Sequence, residues 1–189
     1  QVRIAVKQLR YVLEVAGDLQ RGRPSARVAQ LRRLQDLLGR AHDLLLQARW
    51  TSADLGTIVR SATEAFDNPD QPKFSISGPD IRMTSGAVIA IAMTLNELCT
   101  NTTKFGALSV PQGRVDIEWT LDQQTQRLHF TWTERNGAAV RPPEQRSFGT
   151  RLIETLGRQL RGEVRLTYAP TGFVYAFDVP MASLTSAGA

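Results

Sequence analysis

Leu95-Asn96-Glu97-Leu98-Cys99-Thr100-Asn101-Thr102-Thr103-Lys104-Phe105-Gly106 is the stretch whose reading decides the fold of this chain. With the small and apolar residues before it, the pattern predicts one long helix over 87–104. On that helix Glu97, Asn101 and Lys104 fall at i, i+4 and i+7, so a carboxylate, a carboxamide and an ammonium share one face. Such a face has the groups to hold a phosphate–Mg²⁺ assembly, because Mg²⁺ takes oxygen ligands and keeps several of its waters. The same spacing also describes a solvated polar stripe with a Glu–Lys contact, and spacing alone does not separate the two.

Outward from this helix the texture is mixed. Residues 115–120 (VDIEWT) and 128–133 (LHFTWT) alternate like strands with one buried face. Upstream, 53–66 reads as a short helix, 67–72 (DNPDQP) as a loop, and 74–77 as a short strand ended by Gly78 and Pro79. Downstream, 150–160 reads as a helix, and 164–168 with 173–177 as a hairpin around residues 169–172. Strands and helices in this order predict an α+β sandwich, with helices on one face of a largely antiparallel sheet. No internal repeat is visible.

Before Trp50 the pattern is helical. Val2, Val6, Leu9 and Leu13 step by fours and threes, with Ile4, Tyr11, Val12 and Val15 widening the stripe. Residues 17–25 (GDLQRGRPS) carry turn chemistry, after which Val28, Leu31, Leu34, Leu38, Ala41 and Leu45 resume the helical period, with Leu37 and Leu44 beside them. This is an antiparallel helical hairpin. Its apolar rows are too wide to be hidden by two helices alone, so two hairpins are expected to pair as a four-helix bundle in a homodimer. The expected division is a dimerisation hairpin over 1–50 and a second domain over 51–189.

Composition narrows the class. At 189 residues, 42% apolar and 22% charged, the chain can bury a core and is neither an acidic tail nor low-complexity sequence. No apolar run approaches the roughly 20 residues that span a bilayer, so no membrane contact is expected within this segment. Residues 1–10 carry three positive charges without an apolar core, which does not read as a signal peptide. The chain opens on Gln1, so it is expected to be a piece of a longer protein with sensing or membrane segments upstream. The single cysteine, Cys99, sits in an apolar helical pattern and reads as a small core residue, which fits a reducing, cytoplasmic setting. Net charge is +5, with the excess between Arg21 and Arg49, where Arg21, Arg23, Arg27, Arg32, Arg33, Arg40 and Arg49 face only Asp36 and Asp43. No aromatic residue lies between Tyr11 and Trp50, so the interleaving that nucleic-acid binding uses is absent and a solvated face is expected.

Two further clusters carry chemistry. Trp132-Thr133-Glu134-Arg135-Asn136-Gly137 puts a carboxylate at a strand end before a tight turn. That carboxylate can accept a hydrogen bond from an adenine amino group, or the run can be a hairpin turn with Trp132 in the core. Ser147-Phe148-Gly149-Thr150-Arg151-Leu152-Ile153 opens an amphipathic helix from a small-residue turn, where backbone N–H groups and the helix dipole favour phosphate. A plain Thr cap gives the same pattern.

Taken in order, residues 95–107, Trp132-x-Glu134 and residues 148–153 resemble the HWE family of sensor histidine kinases, and the resemblance covers nearly the whole chain. Arg40-Ala41-His42-Asp43-Leu44-Leu45 looks like the end of that family's second bundle helix, and residues 50–55 fit the connection after it. The resemblance implies a Bergerat-type ATP-binding domain, as in gyrase, Hsp90 and MutL. It implies ATP and Mg²⁺ as cofactors, with Asn101 as the Mg²⁺ ligand, Glu97 as its acidic neighbour and Lys104 near the phosphates. Glu134 with Gly137 matches the adenine-recognition position, and Phe148, Gly149, Thr150 and Arg151 match the lid that closes over the phosphates. The implied activity is transfer of the γ-phosphoryl to a histidine on the first bundle helix and then to the receiver domain of a response regulator, under control of an upstream sensory domain.

Four features depart from the family pattern. The signature histidine of the 95–107 motif is Asn96, the turn after Glu134 reads Arg-Asn-Gly-Ala-Ala, and a lid glycine is Ser147. No histidine lies between Gln1 and Arg40; the chain holds only His42, which matches a structural position, and His129, within a strand. Either the acceptor histidine lies upstream of Gln1, or the chain is a degenerate kinase-like module that docks or regulates response regulators. A Bergerat-type serine kinase or anti-sigma factor keeps the nucleotide site but has no need of the hairpin over 2–46.

Overall fold

The computed structural model describes residues 52–140, 142, 153–155, 157, 158 and 160–185, all within one of the chain's two units, Leu44–Ala189. The hairpin expected over 2–46, His42, Ser147 and the lid residues Phe148, Gly149, Thr150 and Arg151 lie outside the described residues.

The elements run β1 (Ser52–Asp54), α1 (Leu55–Glu64), β2 (Phe74–Ser77), β3 (Arg82–Thr84), α2 (Ser85–Phe105), a 3₁₀ turn (Ala107–Ser109), β4 (Arg114–Asp122), β5 (Arg127–Arg135), β6 (Glu163–Ala169), β7 (Gly172–Pro180) and α3 (Met181–Thr185). Residues 153–155, 157 and 158 are also helical, within the span where a helix is expected. Five strands form one sheet in the order β2-β4-β5-β7-β6, and β1 pairs with β3 in a separate two-stranded ribbon. Every pairing in the large sheet is antiparallel except β2 with β4.

Strand alternation builds the core. Val115, Ile117 and Trp119 of β4, Leu128, Phe130 and Trp132 of β5, and Tyr175, Phe177 and Val179 of β7 are buried, while their neighbours are partly or fully exposed. Their rings interlock across strands: Phe130 stacks on Phe177 with centroids 4.7 Å apart and lies beside Trp119 at 6.3 Å, and Phe74 meets Trp132 edge-on. Helix α2 covers this face. Almost every residue from Ala87 to Cys99 is buried, the condition of a helix with apolar residues all round. Tyr175 of β7 is buried, and the Cys99 thiol of α2 lies 3.8 Å from the Ala62 carbonyl of α1.

Asp54 explains why the first helix starts later than its pattern suggests. One carboxylate oxygen accepts Thr57 N–H at 3.0 Å as the cap of α1, and the other accepts Ile81 N–H at 3.0 Å. Ala53 and Asp54 therefore belong to β1, paired with Met83 and Arg82. Among the described residues no helix is long and apolar enough to cross a membrane.

Candidate functional site

The polar run on α2 descends from interior to surface. Glu97 is fully buried, Asn101 is half-buried and Lys104 is exposed in the helix's last turn, where a cation suits the carbonyl end of the dipole. A uniformly solvated stripe is thus ruled out, because its first carboxylate has no solvent exposure. Phe105, one residue on, is 72% exposed, and it is the exposed large apolar side chain among the described residues.

Helix α2 stops at Gly106, whose N–H bonds the Thr102 carbonyl at 3.0 Å, and the chain turns into Ala107–Ser109. Glu134, near the end of β5, meets this turn. Strand alternation puts it on the buried face with Trp132, and it is 4% exposed. Its Oε2 accepts Ala107 N–H at 2.7 Å, and its Oε1 lies 3.4 Å from Trp132 Nε1. Burial raises the Glu134 carboxyl above its ordinary range, and polar contacts, the Ala107 N–H first among them, pull it back toward ionisation. Burial also pushes the neighbouring Cys99 thiol up to about 12, with the Glu134 charge adding to the effect. Cys99 is therefore an inert core group.

Three glycines let backbone and carboxylate approach so closely. A Cβ on Gly106 would stand 2.0 Å from Glu134 Oε2, one on Gly113 1.7 Å from the Ala107 carbonyl oxygen, and one on Gly137 2.6 Å from the Ala107 Cα. Asn136 before it takes a left-handed φ of 54°, the tight turn expected after the strand. The structure thus brings Glu134 and Gly137 together at the end of the helix that carries Glu97, Asn101 and Lys104. Asn96 is half-buried on the same helix, and its carbonyl accepts the Thr100 hydroxyl at 2.8 Å.

Thr102, Gly106 and Ala107 belong to the site and carry no signal of their own in the sequence reading. They stand inside or beside the quoted helix run, but Glu134, which Ala107 meets, is 27 residues away. Among the described residues no cluster of three His, Cys, Asp or Glu side chains is placed to hold a metal ion. That geometry leaves open Mg²⁺ held by one or two protein oxygens, its usual mode beside phosphates. His129 is exposed on the opposite face of the sheet, with Nδ1 2.5 Å from Asp178 Oδ2 and Arg127 paired to the other Asp178 oxygen.

A family model described as the CHAD domain matches residues 1–52, which end where the described residues begin. The chain is 35% identical over 147 residues to a blue-light-activated histidine kinase of Brucella anthropi, a match covering 76% of this chain and 30% of that protein. The chain therefore spans less than a third of the length of this curated relative. Among solved structures it is similar to the histidine kinase domain of the Erythrobacter litoralis EL346 blue-light activated histidine kinase, with a TM-score of 0.64 and 18% identity over 94% of this chain and 84% of that one. The catalytic domain of the histidine kinase ThkA is matched with a TM-score of 0.52 and 13% identity, over 69% of this chain and 97% of that domain. The chain belongs to the histidine kinases, the family that its HWE-type motifs resemble.

Proposed function

We propose that the chain is the transmitter core of a two-component sensor histidine kinase of the HWE type, with a dimerising hairpin over 1–50 and a Bergerat-type ATP-binding domain over 51–189. The observation that carries this reading is the junction of Glu134 with Ala107, which sets a buried carboxylate beside the end of the helix bearing Asn101 and Lys104. It is supported by the 35% identity to a histidine kinase over three quarters of the chain.

In this reading Glu134 accepts the exocyclic amino group of adenine. An ionised carboxylate offers about four acceptor sites, and the contacts with Ala107 and Trp132 take two. Asn101 presents its carboxamide oxygen to Mg²⁺ with Glu97 as its acidic neighbour, and Lys104 meets the phosphates as a compact cation. Phe148, Gly149, Thr150 and Arg151 close over the triphosphate, and Gly137 lets the turn after β5 approach it. Bound Mg²⁺ neutralises phosphate charge; the chain's own contribution is to position the nucleotide and exclude water. The γ-phosphoryl goes to a histidine on the first bundle helix of the dimer and then to a response-regulator receiver domain, in the cytoplasm, under an upstream sensory domain.

Isothermal titration with Mg²⁺–ATP tests this. Binding is expected in the wild-type chain and is lost in Asn101→Ala. If the wild type takes up no nucleotide while folded, the kinase reading fails, and a regulator-docking role that survives both Asn101→Ala and Glu134→Ala replaces it.

A further inference from the structure

We infer that Trp132 is a positioning residue for base recognition: its indole N–H reaches along β5 to Oε1 of Glu134 while the Ala107 N–H holds Oε2, so the carboxylate plane is fixed with acceptor capacity left for an exocyclic amino group. This rests on the proposed role of Glu134 and adds a residue to it.

The spacing makes the contact possible. Residues two apart on a strand share a face, so Trp132 and Glu134 both point into the core, where they are 0% and 4% exposed. Their backbones stand about 7 Å apart along the strand, a gap that takes a long side chain with a donor at its far edge. Leucine or phenylalanine at 132 would fill the core but has no hydrogen to give, whereas the indole Nε1 is a donor only. Trp132 Nε1 lies 3.4 Å from Glu134 Oε1. An ionised carboxylate only accepts, so the direction of this bond is fixed.

Both ends of the arrangement are themselves held. Phe74 of β2 meets the indole edge-on with ring centroids 6.0 Å apart. On the far side of the carboxylate, Oε2 accepts the Ala107 N–H at 2.7 Å, and Gly106 leaves room for it, since a Cβ there would meet Oε2 at 2.0 Å. A carboxylate pinned at one oxygen still turns about its last torsion, which is broad for glutamate. One donor on each oxygen removes that freedom. Each oxygen has two lone pairs, so those not used keep a fixed aim, and the longer bond leaves Oε1 the less committed oxygen.

The test compares Mg²⁺–ATP with Mg²⁺–ITP, which carries an oxo group where ATP carries the amino group, by calorimetry on the folded chain. Two variants remove the donor: Trp132→Phe, and a chain with benzothienylalanine at 132, which keeps the bicyclic shape and replaces the N–H by sulfur. Trp119 supplies the control, because it is also buried on this face but its Nε1 donates to the Pro79 carbonyl at 2.7 Å. The wild type is expected to prefer ATP. Either change at 132 should cost about tenfold in ATP affinity, the usual cost of one hydrogen bond to a charged group, with little change for ITP. Benzothienylalanine at 119 should leave the preference as it was. Equal losses on both nucleotides, no loss on either, or the same loss from position 119 overturns the positioning role while leaving the reading of Glu134 intact. A wild type that binds both nucleotides equally, or neither, overturns the reading of Glu134 and the inference with it. Should the variants at 132 fail to fold, the wild type decides: its Trp132 indole N–H resonance should shift with Mg²⁺–ATP more than with Mg²⁺–ITP, and identical shifts contradict the role.

Discussion

Glu134 accepts the backbone N–H of Ala107 at 2.7 Å, so the last turn of α2 is tied to the end of β5 by a side chain and not by sheet pairing. A buried donor left without its acceptor costs about 1–3 kcal/mol. Glu134→Ala should therefore lower stability by about that amount, read as a lower urea midpoint. Glu134→Gln keeps an acceptor oxygen for Ala107 and should stay within about 1 kcal/mol of the wild type. If the two variants unfold alike, the Ala107 bond contributes nothing.

The same carboxyl makes stability depend on pH in an unusual direction. Burial raises it above the ordinary carboxylate value of 4.5, so the folded chain holds its proton longer than the unfolded chain does. The stability Glu134 contributes is then fully present below the unfolded value and is lost as pH rises through the folded one. Urea midpoints of the wild type, relative to those of Glu134→Gln, should fall as pH climbs from 4.5 toward neutrality. A constant difference across that window contradicts the raised value.

Gly106 is fixed by space, not by backbone conformation, since its φ of −108° is open to any residue. A methyl group there would lie 2.0 Å from Glu134 Oε2 and 2.8 Å from the Thr102 Cα, and the second contact is with backbone that cannot swing aside. Gly106→Ala should cost about 1–3 kcal/mol and push the Glu134 carboxylate off Ala107. The indole N–H resonance of Trp132 reports this directly, because Trp132 Nε1 faces Glu134 Oε1. An alanine variant with wild-type stability and an unmoved resonance would show that the turn has room.

The parts of this fold that are legible in the sequence are those with a local period. Helix α2 carries 21 residues and β4, β5 and β7 nine each, long enough for apolar patterns of 3.6 and 2 to stand out. β1 and β3 are three residues each, too short to show a period, and α3 is five. The parallel pairing of β2 with β4 is also invisible, because it depends on which strand edge the chain returns to. At the site, Glu97, Asn101 and Lys104 are readable as one helix face, but the burial of Glu97 is not, since it is decided by what covers the helix. The pairing of Glu134 with Ala107 is likewise long-range, and glycines at 106, 113 and 137 show their purpose only once the turn they crowd is in view.

His129 is the histidine among the described residues, and its strand position argues against a role as phosphoacceptor. Along β5 the even positions Leu128, Phe130, Trp132 and Glu134 are buried, so His129 faces the other side of the sheet from the Glu134 carboxylate. A nucleotide bound beside Glu134 cannot deliver its γ-phosphoryl through the sheet to the imidazole of the same unit. There His129 pairs with Asp178, which Arg127 also holds, in a half-exposed cluster. Exposed pairs of this kind are worth about 0–1 kcal/mol. His129→Gln should leave both the unfolding midpoint and any acid-labile phosphorylation of the protein unchanged. Loss of the label in that variant, with folding intact, would move the acceptor onto the sheet and require transfer between two protomers.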